Sequence, residues 1–150
     1  MRRYVIVDID GTLSDSSARE HYAQNKDWAE FHHLSSEDKP VEAVVEFVHA
    51  MNEAGFRVIA CTGRPEKYRK ATFDWMLRNE VSIDLVLMRP ELDFSSDADL
   101  KPRLVREHLS IRTKGDWEKA ILCVLEDRDI MVEKWRSLGI DCWQVKSGGY

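Results

Sequence analysis

The sequence predicts an α/β fold around a parallel β-sheet of about five strands, and three observations predict it. Short apolar runs alternate with segments of helical periodicity along the chain, and strand–helix alternation requires parallel strands. The runs end in acidic or hydroxyl residues, which open parallel sheets gather at the C-terminal ends of their strands to meet a ligand. A length of 150 residues suits one domain with a proper core, and no repeat or linker divides residues 1–150.

The first run, Tyr4-Val5-Ile6-Val7, leads directly into Asp8-Ile9-Asp10-Gly11-Thr12-Leu13. Such a run makes a short buried strand, and Gly11 admits a backbone conformation that other residues resist. Asp8 and Asp10 would share one side of a continuing strand, or crowd together at its end. Two neighbouring carboxylates repel unless a proton or a cation intervenes, and a hard dication, Mg2+ above all, takes oxygen ligands. A solvated turn accounts for the glycine but needs no second aspartate behind an apolar strand. The chemical reading is a nucleophilic carboxylate that accepts a phosphoryl group, with the second carboxylate carrying the proton.

Residues 14–39 form a polar insert. Within it, Asp27 is the expected N-cap of a short helix over 27–34, and Trp28 and Phe31 are expected to pin the insert to the domain. His32 and His33 are adjacent and cannot share a helix face, and no third ligand stands nearby, so the pair is not read as a metal site. Pro40 opens a helix in which Val41, Val44, Val45, Val48 and Met51 recur at helical spacing, and Gly55 closes it. The second strand, 56–61, ends in Thr62-Gly63-Arg64-Pro65. A threonine leaving a buried strand into glycine can offer its hydroxyl and backbone N–H to a phosphate oxygen, although the same residues also make an ordinary turn.

The next helix covers 65–79, with Tyr68, Ala71, Thr72, Trp75 and Met76 on its apolar face and Arg69 and Lys70 at its basic start. The third strand is 83–88. Leu100, Leu104, Val105 and Leu109 stripe the following helix, with Asp97 or Asp99 as its N-cap and Lys101 and Pro102 in its first turn. On spacing alone, Lys101 fits an ordinary solvated lysine. The fourth strand, 120–125, ends in Glu126-Asp127-Arg128-Asp129, an acidic pair that is costly behind a buried strand unless solvated or bound to a cation. A helix over 130–138 is capped by Gly139, and 141–145 is a last short strand.

The net charge of -5 argues against tight binding to bulk nucleic acid, but the charge is uneven. Residues 64–114 carry 11 basic and 9 acidic side chains, against 6 and 11 in residues 1–63, so the middle third is the anion-facing portion. Cys61 and Cys123 lie in apolar runs as core residues, and the three cysteines lack zinc-site spacing. No apolar run approaches the ~18 residues of a membrane span. The stretch after Met1-Arg2-Arg3 is too short for a signal peptide, so a reducing cytoplasm is expected.

The Asp8-x-Asp10-Gly11-Thr12 stretch resembles the first motif of the haloacid dehalogenase-like hydrolases, a superfamily dominated by Mg2+-dependent phosphatases. Thr62-Gly63 resembles their second motif, Lys101 stands where their third-motif lysine belongs, and Glu126-Asp127 resembles their metal-binding fourth. The resemblance implies a three-layer, Rossmann-like fold with strand order 5-4-1-2-3, numbered along the chain. A narrower similarity covers nearly the whole chain. Thr62-Gly63-Arg64, Lys67-Tyr68-Arg69, Trp75, Met88-Arg89, Asp97, Lys101, Glu126-Asp127-Arg128, Trp135-Arg136 and Cys142-Trp143-Gln144-Val145 follow in the order seen in the 3′-phosphatase domain of bacteriophage polynucleotide kinase–phosphatase. That family often has Asp-Asp where this chain has Glu126-Asp127.

The resemblance implies that Asp8 attacks phosphorus and that Asp10 moves the proton. It implies that Mg2+ is held by Asp8, the backbone carbonyl of Asp10, and Asp127, with Glu126 beside them. Thr62 and Lys101 would hold the phosphoryl oxygens, Gly63, Arg64, Arg69 and Arg128 would line the substrate site, and Asp97 would position an arginine or Lys101. The about 26 residues before the Pro40 helix and the about 11 before the Lys101 helix are too few for a cap domain of ~50 or more. An uncovered crevice admits a polymer end, with Arg69, Lys70, Arg89 and Arg103 as candidates to track its backbone. No Gly-x-x-x-x-Gly-Lys-Ser/Thr loop occurs, so a kinase or ligase partner would be a separate chain. The expected substrates are 3′-phosphorylated nucleic-acid ends. The alternatives are nucleotides, in a small-molecule phosphatase, a phosphotransferase using the same intermediate, or a non-catalytic binding protein on the same fold.

Overall fold

The computed structural model describes residues 3–148. In chain order its elements are β1 (Tyr4–Val7), β2 (Ser14–Asp15), α1 (Glu20–Gln24), α2 (Trp28–His33), β3 (Lys39–Pro40), α3 (Glu42–Glu53), β4 (Arg57–Pro65), α4 (Arg69–Arg78), β5 (Leu85–Arg89), α5 (Asp97–Leu109), α6 (Lys114–Ala120), β6 (Ile121–Arg128), α7 (Asp129–Ser137) and β7 (Cys142–Gly148). Five strands form one parallel sheet in the order β5-β4-β1-β6-β7. This is the expected order, read from the opposite edge.

Side-chain alternation sorts the core into two layers. Val5, Val7, Val58, Ala60, Cys123 and Leu125 pack on one face with Val44, Val48, Trp75 and Met76 from α3 and α4. Ile6, Ile59, Cys61, Ile121 and Val124 pack on the other with Val105, Trp117, Val132 and Trp135 from α5, α6 and α7. Because the strands are buried on both faces, they read as unbroken apolar runs in the sequence. Cys61 and Cys123 are small core residues, on opposite faces.

The insert hangs from a short antiparallel ladder, with Ser14 opposite Pro40 and Asp15 opposite Lys39. Asp27 caps α2 by accepting from the Glu30 N–H at 3.3 Å. Phe31 is buried and anchors the insert as expected, but Trp28 is not, with 44% of its surface exposed. The second anchor is Trp75 from α4, whose indole N–H donates to the Asp38 carbonyl at 2.8 Å. Among the described residues no separate cap domain stands over the strand ends.

Three local expectations change. Ser96, not Asp97 or Asp99, caps α5, because its hydroxyl accepts from the Asp99 N–H at 3.2 Å. The helix therefore starts earlier, and Pro102 lies inside it, where a proline removes one intrahelical bond. The helix α6 was not expected; a Thr113–Asp116 capping box starts it, and Trp117 alone is buried, too little periodicity to read. The strands β4 and β6 run past 61 and 125 because pairing resumes after a register shift, at Pro65–Arg89 and Arg128–Gly148. Replacing Trp75 by Ala, which removes a buried indole and the insert's anchor, should lower stability by about 3–5 kcal/mol, read as a shift in the urea midpoint.

Candidate active site

The crevice opens where β1 ends between β4 and β6, the point at which chain connections leave in opposite directions. Asp8 follows β1 directly, and its backbone N–H donates to the Leu125 carbonyl at 3.0 Å, continuing the sheet hydrogen bonding by one residue. Lys101 reaches this point from α5, whose Leu100 and Val105 are buried against the sheet. Its ammonium donates to Asp8 Oδ1 at 2.7 Å and to Glu126 Oε1 at 2.6 Å, with only 2% of the side chain exposed. Burial opposes the charge on Lys101, but Asp8, Glu126 and Asp97 hold its pKa well above the ordinary value.

One ammonium does not balance the acids here. Asp8, Glu126 and Asp127 present carboxylate oxygens that all lie within 4.8 Å of one another. Both Asp127 oxygens are buried without a hydrogen-bond partner. Burial, reinforced by mutual repulsion, pushes the Asp127 pKa up to about 8 and that of Glu126 to about 7, and raises that of Asp8. Gly11, at φ +84°, leaves this space open: a Cβ there would lie 2.2 Å from Asp127 Oδ2. Hard oxygen donors, surplus negative charge and two orphaned buried oxygens fit a divalent cation such as Mg2+. Asp8 and Asp127 have the free donor capacity to hold it, while Glu126 turns one oxygen to Lys101.

Asp10 has the opposite surroundings. Arg64 donates from Nε to both carboxylate oxygens at 3.1 Å and from Nη2 to Oδ1 at 2.7 Å, and Arg19 also donates to Oδ1. Although burial opposes its charge, these guanidiniums hold Asp10 well below the usual carboxylate range. In this state Asp10 is ionised and, held by two guanidiniums, is a weak base. Arg64 is fixed in turn by Thr72, and Arg19 by Asp38 and the Phe31 carbonyl. Arg19 and Asp38 escaped the sequence reading because both stand in the polar insert, where no periodicity separates a buried arginine from a solvated one.

Thr62 is fully buried, and its hydroxyl accepts from the Arg64 N–H at 3.1 Å. At Gly63 an added Cβ would lie 2.5 Å from Asp97 Oδ1. Asp97 accepts from Arg89 at 2.5 Å and Arg128 at 2.6 Å, so it positions arginines rather than Lys101. Arg69 is not brought to the site: Glu66 takes its guanidinium at 2.6 and 2.7 Å, and the rest of it caps the Val86 carbonyl of β5. Arg89 is likewise engaged, donating to the carbonyls of Gly63 and Ser95, while Lys70 pairs with Asp74 on an exposed helix face and Arg103 with Asp93.

Residues 2–150 match the family model of the polynucleotide kinase PNKP phosphatase domain. The chain belongs to this family. It is therefore a phosphatase-type hydrolase of the haloacid dehalogenase superfamily. A chain of the Pnkp1/Rnl/Hen1 RNA repair complex is 27% identical, with a TM-score of 0.83 over 100% of this chain and 44% of its own length. A second structure of the Pnkp1/Rnl/Hen1 complex gives 28% identity and a TM-score of 0.81, over 100% of this chain and 48% of that one. The chain thus spans less than half the length of these two relatives. A hydrolase from Streptococcus pneumoniae TIGR4 has a TM-score of 0.62 at 13% identity, covering 97% of this chain and 94% of its own, a likeness of fold alone.

The raised pKa values set a pH dependence for this PNKP-type domain without metal. The folded state binds protons that the unfolded chain, with ordinary carboxyls near 4, releases. That stability is present below about pH 4 and is lost as pH rises toward about 8. With EDTA, the calorimetric Tm should fall as pH rises from 6 to about 8, and Mg2+ should restore it through preferential binding to the folded state. Asp127→Asn should raise the metal-free Tm at about pH 8 and abolish the Mg2+ response.

Proposed function

We propose that this domain is a Mg2+-dependent phosphomonoesterase that removes 3′-phosphate from polynucleotide ends through an aspartyl-phosphate on Asp8. The observation that carries the reading is the 2.7 Å contact from Lys101 to Asp8, which brings residues 93 apart in sequence together at the cation-ready strand end. An ammonium between two acids beside unpartnered carboxylate oxygens suits a centre that must receive a phosphate dianion. Mg2+ held by Asp8, Asp127 and the Asp10 carbonyl, with Glu126 alongside, would neutralise charge so that an anionic nucleophile can meet an anionic ester.

Each remaining step uses this chain's own groups. An Asp8 oxygen forms the bond to phosphorus as the bond to the ribose oxygen breaks, and that oxygen takes a proton from Asp10. Water then gives a proton to Asp10 and attacks phosphorus, releasing inorganic phosphate and free Asp8. Arg64 and Arg19 fix the Asp10 carboxyl in place and make its protonated form a strong acid for the first step. An arriving phosphate dianion competes for Arg64 and raises the Asp10 pKa, so Asp10 takes up the proton that it gives in the first step and can accept one from water in the second. Lys101 and the Thr62 hydroxyl and backbone N–H neutralise the transferring oxygens. An intracellular, cytoplasmic setting accompanies this reading.

The polymer substrate is supported by the lack of a separate cap domain among the described residues, by the family, and by a relative that belongs to an RNA repair complex. A kinase or ligase acting on the same ends would come from other domains or chains. The test is phosphate release with Mg2+ or EDTA from 3′-phosphorylated DNA and RNA, 5′-phosphorylated ends, and free 3′- and 5′-mononucleotides. The 3′-phosphorylated ends should be preferred, and activity should vanish with EDTA. Asp8→Asn should fold normally and lose at least about a thousandfold in kcat. A preference for free mononucleotides would make the protein a nucleotidase instead.

A further inference from the structure

The insert and the turn after β4 meet in an aromatic cluster that the chemistry above leaves unused. His32 of α2 lies with its ring centroid 5.5 Å from that of Tyr68, and the Trp28 ring stacks beside it at 6.3 Å and 26°. Phe31 closes the cluster from below, edge-on to both Trp28 and His32. Trp28 keeps 44% of its surface exposed, a large apolar group that neither anchors the insert nor finishes the core. Burial pushes the His32 ring down to about 4, so it is neutral at physiological pH. The Lys67 ammonium lies 5.1 Å from the centre of the Tyr68 ring.

The cluster stands beside the reacting groups by two short routes. Asp10 is bound by Arg19, which donates at 2.8 Å to the carbonyl of Phe31, the residue before His32. Asp10 is also bound by Arg64, which donates at 3.1 Å to Thr72, one helical turn after Tyr68. His32 lies in the electrostatic field of Asp10, Arg64, Arg19 and Asp97 together. Partly exposed aromatic faces next to cationic side chains are what single-stranded nucleic-acid sites present, because every base has a π-face and every linkage a negative charge.

We propose that Trp28, His32 and Tyr68 form a shelf that stacks against the nucleobase of the nucleotide carrying the scissile phosphate. The inference rests on the polynucleotide reading above and adds to it the group that recognises the terminal nucleoside. The shelf belongs half to the insert and half to the body of the domain, so a bound base ties the two together over Asp10. Lys67, at its edge, faces the backbone of the preceding nucleotides.

The test compares kcat/KM for a 3′-phosphorylated oligonucleotide with that for the same oligonucleotide made abasic at its terminal position. A free 3′-mononucleotide and glycerol 2-phosphate are run beside them. In the wild type the base-bearing substrate should win by about tenfold or more. Trp28→Ala and Tyr68→Ala should each erase most of that ratio through KM, while Tyr68→Phe and Trp28→Phe keep it. A structural role would lower all rates together and leave the ratio alone. An unchanged ratio in both alanine variants, with the wild type active on oligonucleotides, overturns the shelf and leaves the proposed function standing. Asp8-dependent hydrolysis of glycerol 2-phosphate with none of either oligonucleotide overturns both. A ratio lost equally for the mononucleotide supports the shelf as a base site, with the polymer chain adding little.

Discussion

The whole arrangement depends on burying more carboxylate than the fold can neutralise locally. Asp8, Asp10, Glu126 and Asp127 sit at adjacent strand ends and are all buried or nearly so. Such groups are tolerable only if cations reach them from elsewhere, since an isolated buried carboxylate costs several kcal/mol or shifts its pKa instead. Each cation here comes from a separate part of the chain: Lys101 from α5, Arg64 from the end of β4 and Arg19 from the insert. The tertiary structure is in this sense the means by which three distant cations are delivered to one sheet edge.

That requirement explains features that look incidental locally. Ser96 takes the capping role on α5, which leaves Asp97 free to join Arg89 and Arg128. Gly63 is needed because Asp97 lies where its Cβ would be, and Gly11 because Asp127 does. The insert contributes Arg19 together with its partners Asp38 and the Phe31 carbonyl, so the guanidinium arrives already fixed by hydrogen bonds. A buried arginine set this way aims at one carboxylate and not at solvent.

Much of this was legible in the sequence, for identifiable reasons. Strands buried on both faces must be continuous apolar runs, so β1, β4, β5 and β6 announced themselves and their order followed from the family resemblance. Asp8 and Asp127 were legible because acids directly behind such runs are costly unless water or a cation meets them, whereas Lys101 was marked only by the family resemblance. Arg19 and Asp38 were not, because a charged residue in a polar segment carries no mark of burial until its partner is known. Arg69 shows the reverse case: a basic residue near the motif suggested substrate, and the structure pairs it with Glu66 three residues earlier. Short elements such as α6 and the β2–β3 ladder fall below the length at which periodicity carries information.

The two aspartates of the first motif end up with opposite electrostatic partners, and this divides the crevice. Around Asp8 the acids outnumber the one ammonium, leaving oxygens turned to a space suited to a cation. Around Asp10, two guanidiniums balance its carboxylate and that of Asp38, giving a neutralised wall beside a leaving oxygen. One intervening residue separates them because a strand end can place neighbouring carboxylates in different company once regular alternation stops after Val7. A phosphate ester entering such a crevice is oriented before any bond changes. In the proposed mechanism its oxygens face Lys101 and the cation side, and its bridging oxygen faces Asp10 and the arginines. Direction along the crevice is thus set by charge, and in the proposed function the nucleoside lies beyond Asp10, on the insert side.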